Sequence, residues 1–143
     1  MILVTGATGH LGNAAIRSLL KKGVPANKIT ALVRDENKAG NLSEQGVHLK
    51  TGNYNDYNSL VDALEGVDKL FLISSNDVAA DTLLQHKNVI NAAKENGVQH
   101  IVYTSQEIKD DETTAIPFVI QVDRATAQYM KETEIAFTMF NDS

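Results

Sequence analysis

Cysteine is absent from the 143 residues, which excludes disulfides, thiolate catalysis and cysteine-ligated metal sites and is compatible with a reducing compartment. Positive charge is not in excess. Thirteen Lys and Arg against 18 Asp and Glu leave a formal net charge of −5 without a long basic run, so neither nucleic acid nor an anionic membrane is expected as partner. No apolar run approaches the roughly 18 residues of a membrane span, and Met1 leads into an apolar strand without a basic leader, so no targeting segment is expected and a cytoplasmic address is. His10, His48, His86 and His100 are scattered with no paired metal-ligand spacing, so no metal site is expected, and the Gly-x-Ser-x-Gly of a hydrolase nucleophile elbow does not occur. There is no low-complexity segment, linker or repeat. Hydrophobic residues make up 43%, and the length suits one domain spanning 1–143.

Short β-rich runs alternate with longer helical patterns, the signature of βαβ units. The strands read Ile2 to Thr5, Ile29 to Arg34, Val47 to Lys50, Lys69 to Ser74, His100 to Thr104 and Ile135 to Phe140. Several are nearly continuous apolar runs, as expected for a sheet covered on both faces. Leu11, Ala15 and Leu19 share a helix face; Leu60, Val61 and Leu64 follow an Asp56 or Asn cap. Leu83, Ile90 and Ala93 mark a fourth helix, and Phe118, Val122, Ala125 and Tyr129 a last one, while a shorter polar helix is expected over Glu36 to Gln45. The stretches 76–81 and Gln106 to Pro117 read as loops. Right-handed crossovers arrange six such strands as a doubly wound parallel α/β Rossmann sheet of order 3-2-1-4-5-6 with helices on both faces. The ligand crevice then lies at the carboxyl ends of strands one and four.

A glycine-rich turn stands where such a sheet needs it. Thr5-Gly6-Ala7-Thr8-Gly9-His10-Leu11-Gly12 follows the first strand and opens the first helix, the context of a dinucleotide fingerprint. Gly6 permits the tight turn, Gly9 lets the backbone approach a pyrophosphate, and Gly12 allows close packing of the helix on the sheet. Free N–H groups at the helix start face the phosphates. The expected cofactor-binding residues of this turn are therefore Gly6, Thr8, Gly9, His10, Leu11 and Gly12.

A phosphorylated ligand needs local positive charge in an acidic chain, which singles out Arg34 and Lys38. Arg34 ends the second strand, about twenty residues past the last fingerprint glycine, where an arginine accepts a 2′-phosphate and an acid grips a 2′-hydroxyl. The cation favours NADP. Asp35 follows at once, and a shift of one residue in the strand end favours NAD instead. Ser74, Ser75, Tyr103, Thr104 and Ser105 gather hydroxyls at the ends of strands four and five, where a nicotinamide ribose and a substrate meet; capping of the outgoing loops is the competing role. His86 shares the face of Ile90 and Ala93 and reads as a satisfied, partly buried histidine rather than a catalyst. No tyrosine has a lysine four residues later, so the proton-transfer pair of many short-chain reductases and sugar epimerases is missing and no catalytic residue is assigned.

Together with Val24-Pro25-Ala26-Asn27-Lys28-Ile29, Ala31-Leu32-Val33-Arg34, Gly52-Asn53-Tyr54, Gly66-Val67-Asp68-Lys69-Leu70, Leu72-Ile73-Ser74-Ser75 and Gln85-His86-Lys87-Asn88-Val89-Ile90-Asn91-Ala92-Ala93, the fingerprint resembles the NmrA-like atypical short-chain dehydrogenase/reductases, and within them the NADPH-dependent quinone oxidoreductases and triphenylmethane reductases. The resemblance implies a domain that binds NADP(H), with the glycine turn on the pyrophosphate, Arg34 near the 2′-phosphate, and Asn53 and Tyr54 on the adenine side. It also implies hydride transfer to a quinone-like or cationic dye acceptor without the tyrosine and lysine pair. The family often has Asp at the position of Asn53, and Arg-Asn-Gly where this chain reads Asn141-Asp142-Ser143. Its members continue for about as many residues again, so 143 residues correspond to the nucleotide-binding half, without the family's substrate region. Two functions follow: an NADP(H)-dependent oxidoreductase, or a non-catalytic NADP(H)-binding redox sensor acting on a protein partner. A homodimer is compatible with either.

Overall fold

Six short runs of β-branched and apolar residues become strands: β1 (Ile2–Val4), β2 (Ile29–Val33), β3 (His48–Thr51), β4 (Lys69–Ile73), β5 (His100–Thr104) and β6 (Ala136–Phe140). In the computed structural model, which describes residues 1–7, 10–33, 37, 40–73, 82–104 and 116–140, they pair in parallel in the order β3-β2-β1-β4-β5-β6. This is the expected doubly wound order. The helices are α1 (His10–Lys21), α2 (Gly40–Glu44), α3 (Tyr57–Ala63), α4 (Thr82–Glu95) and α5 (Ile116–Thr133).

The sheet separates two cores. Leu3, Leu32, Leu70, Leu72, Ile101 and Tyr103 point to the side of α3, α4 and α5, where they meet Leu60, Val89, Ile90 and Met130. Val4, Ala31, Val33 and Ile73 point the other way, onto Ile16 of α1 and Leu42 of α2. Strands buried on both faces need apolar residues at successive positions, and β2 is buried at all five. Asp56 caps α3, its side chain accepting the Ser59 N–H at 3.4 Å.

Two expectations are corrected. The polar helix expected over Glu36 to Gln45 shrinks to Gly40–Glu44, because its sequence offers one buried anchor, Leu42, and no continuing apolar stripe. The last helix begins at Ile116, inside the loop expected to run to Pro117. A proline in a first helical turn forfeits no intrahelical hydrogen bond, so it does not mark the loop's end. The expected loop 76–81 lies outside the described residues, as does most of the other.

Candidate functional site

The site is built at the junction of β1 and β4. The Thr5 N–H donates to the Phe71 carbonyl at 3.0 Å, and the buried Thr5 hydroxyl accepts the Ile73 N–H at 2.9 Å. These bonds hold the two carboxyl ends together at the point where the strand order reverses. Past them the chain leaves to opposite faces, to α1 from β1 and to α4 from β4, which is the geometry that opens a crevice in this class of sheet.

Gly6 begins the turn at φ +60°. A β-carbon there would stand 3.6 Å from Ile73 Cβ, an ordinary contact, so the glycine is required by its left-handed backbone and not by space. Gly12 is the reverse case. A β-carbon on it would lie 2.1 Å from the Gly6 carbonyl oxygen and 2.8 Å from Ala7 Cα, both backbone. The glycine thus packs α1 against the turn itself, not against the sheet as the sequence suggested, and the first and third glycines of the fingerprint form one contact.

On the adenine side expected from the sequence, Thr51, Gly52, Asn53 and Ser59 line a cleft of about 260 Å³ beyond the end of β3. The Asn53 side chain accepts the Asn55 N–H at 2.9 Å, and the Asn53 N–H donates to Ser59 Oγ at 3.0 Å, which fixes the loop around the cleft. Tyr54 is half-buried against the α3 to α5 core, and its carbonyl accepts from Asn88 Nδ2 at 2.9 Å. Thr51 and Ser59 were missed from sequence; the Asp56 cap, which places Ser59 in the first turn of α3, was the signal available.

Tyr103 departs from its expected place among the crevice hydroxyls. Its side chain has no exposed surface and lies in the core, its ring meeting His86 edge-on at 5.5 Å. His86 is 2% exposed, its Nδ1 stands 3.0 Å from Thr126 Oγ1, and burial pushes its pKa down to about 4, so it is a neutral packing residue as expected. Beside it, Gln85 is 6% exposed and its Oε1 is buried without a hydrogen-bond partner. Thr104 is half-buried at the end of β5, paired in register with Ile73. Thr8, Gly9, Arg34, Lys38, Ser74, Ser75 and Ser105 lie outside the described residues, as do the side chains of His10 and Leu11. Among the described residues no group of three His, Asp or Glu is placed to hold a metal, and no helix is long and apolar enough to cross a membrane.

The NmrA-like family profile matches residues 1–125. The chain belongs to the NmrA-like family. It is 51% identical over 105 residues to quinone oxidoreductase 2 of Escherichia coli K12, an alignment covering 73% of this chain and 36% of that protein. Two solved structures are also similar. Citrobacter sp. triphenylmethane reductase, complexed with NADP(H), matches 100% of this chain and 49% of its own at 41% identity and a TM-score of 0.86. The NADPH-dependent quinone oxidoreductase of Escherichia coli, complexed with NADPH, matches 99% of this chain and 48% of its own at 40% identity, with the same TM-score. The chain therefore spans about half the length, or less, of these family relatives.

Proposed function

We propose that this NmrA-like chain is the NADP(H)-binding part of an oxidoreductase that passes hydride to a quinone-like acceptor. The observation that carries the reading is the Gly6 and Gly12 contact at the β1–β4 junction, in a fold shared at 40% to 41% identity with two enzymes solved with NADP(H) or NADPH. The residues present fit a dinucleotide. Only a turn free of side chains at Gly6 and Gly12 lets the backbone close up under a pyrophosphate, and the cleft of Thr51, Gly52, Asn53 and Ser59 is polar and open enough to take an adenosine.

In this reading the turn from Gly6 to Gly12, with Thr8, Gly9, His10 and Leu11, binds the pyrophosphate at the start of α1. Arg34 and Lys38 hold the 2′-phosphate, and Asn53 and Tyr54 border the adenine. Ser74, Ser75, Thr104 and Ser105 orient the nicotinamide ribose and the acceptor through hydroxyl hydrogen bonds. Tyr103 is left out of the cofactor contacts because its ring is enclosed in the core. The cofactor, when bound, supplies the hydride, and the chain's task is to hold donor and acceptor in register and keep water away.

Calorimetric titration tests the cofactor. NADPH is expected to bind at least about tenfold more tightly than NADH, the value of one charge-assisted contact, and Arg34→Ala is expected to narrow the gap. Equal affinities overturn the NADP assignment, and no binding of either overturns the reading. NADPH oxidation with a quinone panel tests the acceptor. The 143-residue polypeptide is expected to bind NADPH yet turn over slowly, because it spans about half of the relatives' length and an acceptor free to tumble loses effective molarity. Acceptor-independent oxidation would overturn the quinone reading.

A further inference from the structure

The sheet is covered unevenly. On one face β5 and β6 send Ile101, Tyr103, Phe137 and Met139 into the core under α3 to α5. On the other, the core built with α1 and α2 reaches Phe71 and Ile73 of β4 and takes no residue from β5 or β6. Register sets Val102 beside Phe71 and Thr138 beside Val102, with His100 and Ala136 next along the same face. Val102 is half-buried, and Ala136 and Thr138 are exposed. The two polar members satisfy each other, His100 Nε2 standing 2.8 Å from Thr138 Oγ1, so what they present to a neighbour is an apolar strip. The β6 edge continues it. Its run Ala-Phe-Thr-Met-Phe carries neither the charge nor the proline that guards strand edges facing water.

The size of the strip selects its occupant. Two strands of five residues make a band roughly 10 Å wide and 17 Å long. That is several-fold less than the roughly 800 Å² per partner of a stable interface between separate proteins, which argues against a second copy. It equals the width of one α-helix, about 10 Å, over some three turns. Structures that superpose on this whole chain contain about as much polypeptide again, none of it matched here. We propose that the β5–β6 strip on the α1 side, with the β6 edge, is the seat of one apolar-faced helix from the other half of the NmrA-like fold, and that Val102, Ala136 and Thr138 are buried only when that half is joined. This rests on family membership and strand register, not on the cofactor reading.

The test joins the 143-residue chain to the part of Escherichia coli quinone oxidoreductase 2 that lies beyond the matched region, and compares Ala136→Lys in the chain alone and in the chimera. In the chain alone the exposed site tolerates lysine, with a melting shift under about 2 °C. In the chimera the parent is expected to melt higher than the chain, and Ala136→Lys to lower it by several times that shift. Thr138→Val, which keeps the strip apolar, is expected to leave the chimera's melting largely intact. Equal Ala136→Lys shifts in both contexts, a chimera that is insoluble or melts no higher than the chain, or a dimer of the chain that Ala136→Lys dissociates would each overturn the proposal. NADPH titration of the same samples reports on the cofactor reading separately.

Discussion

Gly12 sits so close to Gly6 that a β-carbon on the first would meet the carbonyl oxygen of the second at 2.1 Å. The glycines are usually discussed as separate requirements of a phosphate-binding turn, yet here the helix start is seated on the turn by this one contact. Gly12→Ala must push α1 away, since both neighbours are backbone and cannot rotate aside. A loss of about 3 kcal/mol in urea unfolding is expected, together with loss of NADPH binding in calorimetry. A variant that binds normally would show that the turn's shape is not what holds the ligand.

Gly6→Ala is expected to cost less, about 1 to 2 kcal/mol, because the added methyl finds ordinary room beside Ile73 and only the φ of +60° resists it. Gly6→Asn should recover part of that loss, since asparagine enters the left-handed region more readily. If the two variants unfold at the same urea concentration, the strain is not conformational.

His86 makes stability depend on pH. Its folded pKa is lowered to about 4 from 6.5, so between those values the unfolded chain binds more protons than the folded one. Its contribution is therefore complete above about pH 6.5, falls as the pH drops toward 4, and changes no further below that. The slope in that window is expected to reach up to about 1.4 kcal/mol per pH unit, and His86→Gln should flatten it in denaturation curves taken from pH 4 to 7. An imidazole that titrates near 6.5 by NMR would contradict the buried, uncharged placement.

Gln85→Met is expected to leave unfolding stability unchanged or raise it by about 1 kcal/mol, because it removes a buried acceptor that has no donor while keeping the side chain's length. A clear loss in thermal melts would mean that the amide is held by more than its packing.

The strand order and the fingerprint were legible because both are written in local pattern: alternation of β-rich and helical runs, and glycines at a strand-to-helix turn. The Asp56 cap and the buried His86 were legible for the same reason, each fixed by its own helix. Tyr103 was not. In the run His100-Ile101-Val102-Tyr103-Thr104 both faces are compatible with burial, so which residues face α4 is decided by register with β4 and not by the run itself. The extent of α2 was equally hidden, because Leu42 holds it through tertiary contact while its neighbours carry no periodic signal. Thr5 was read only as part of the glycine motif. Its hydroxyl's partner, Ile73, lies 68 positions away, and no local pattern announces such a bond.

Replacing that hydroxyl is a sharp test of the junction. Thr5→Val keeps shape and burial but strands the Ile73 N–H, and should cost about 1 to 3 kcal/mol in denaturation, whereas Thr5→Ser should recover most of it. An equal loss in both variants would point to the missing methyl.

The same bond divides what evolution can alter here from what it must leave alone. The floor of the crevice is tied by atoms of β1 and β4 themselves, and none of the loops that rise from it takes part. Loop sequences can then be exchanged, lengthened or grafted from one relative to another without unfastening the sheet beneath. A family that accepts dyes, quinones and other electron-poor molecules on one framework needs this kind of separation, and the Thr5 hydroxyl is an inexpensive way to obtain it.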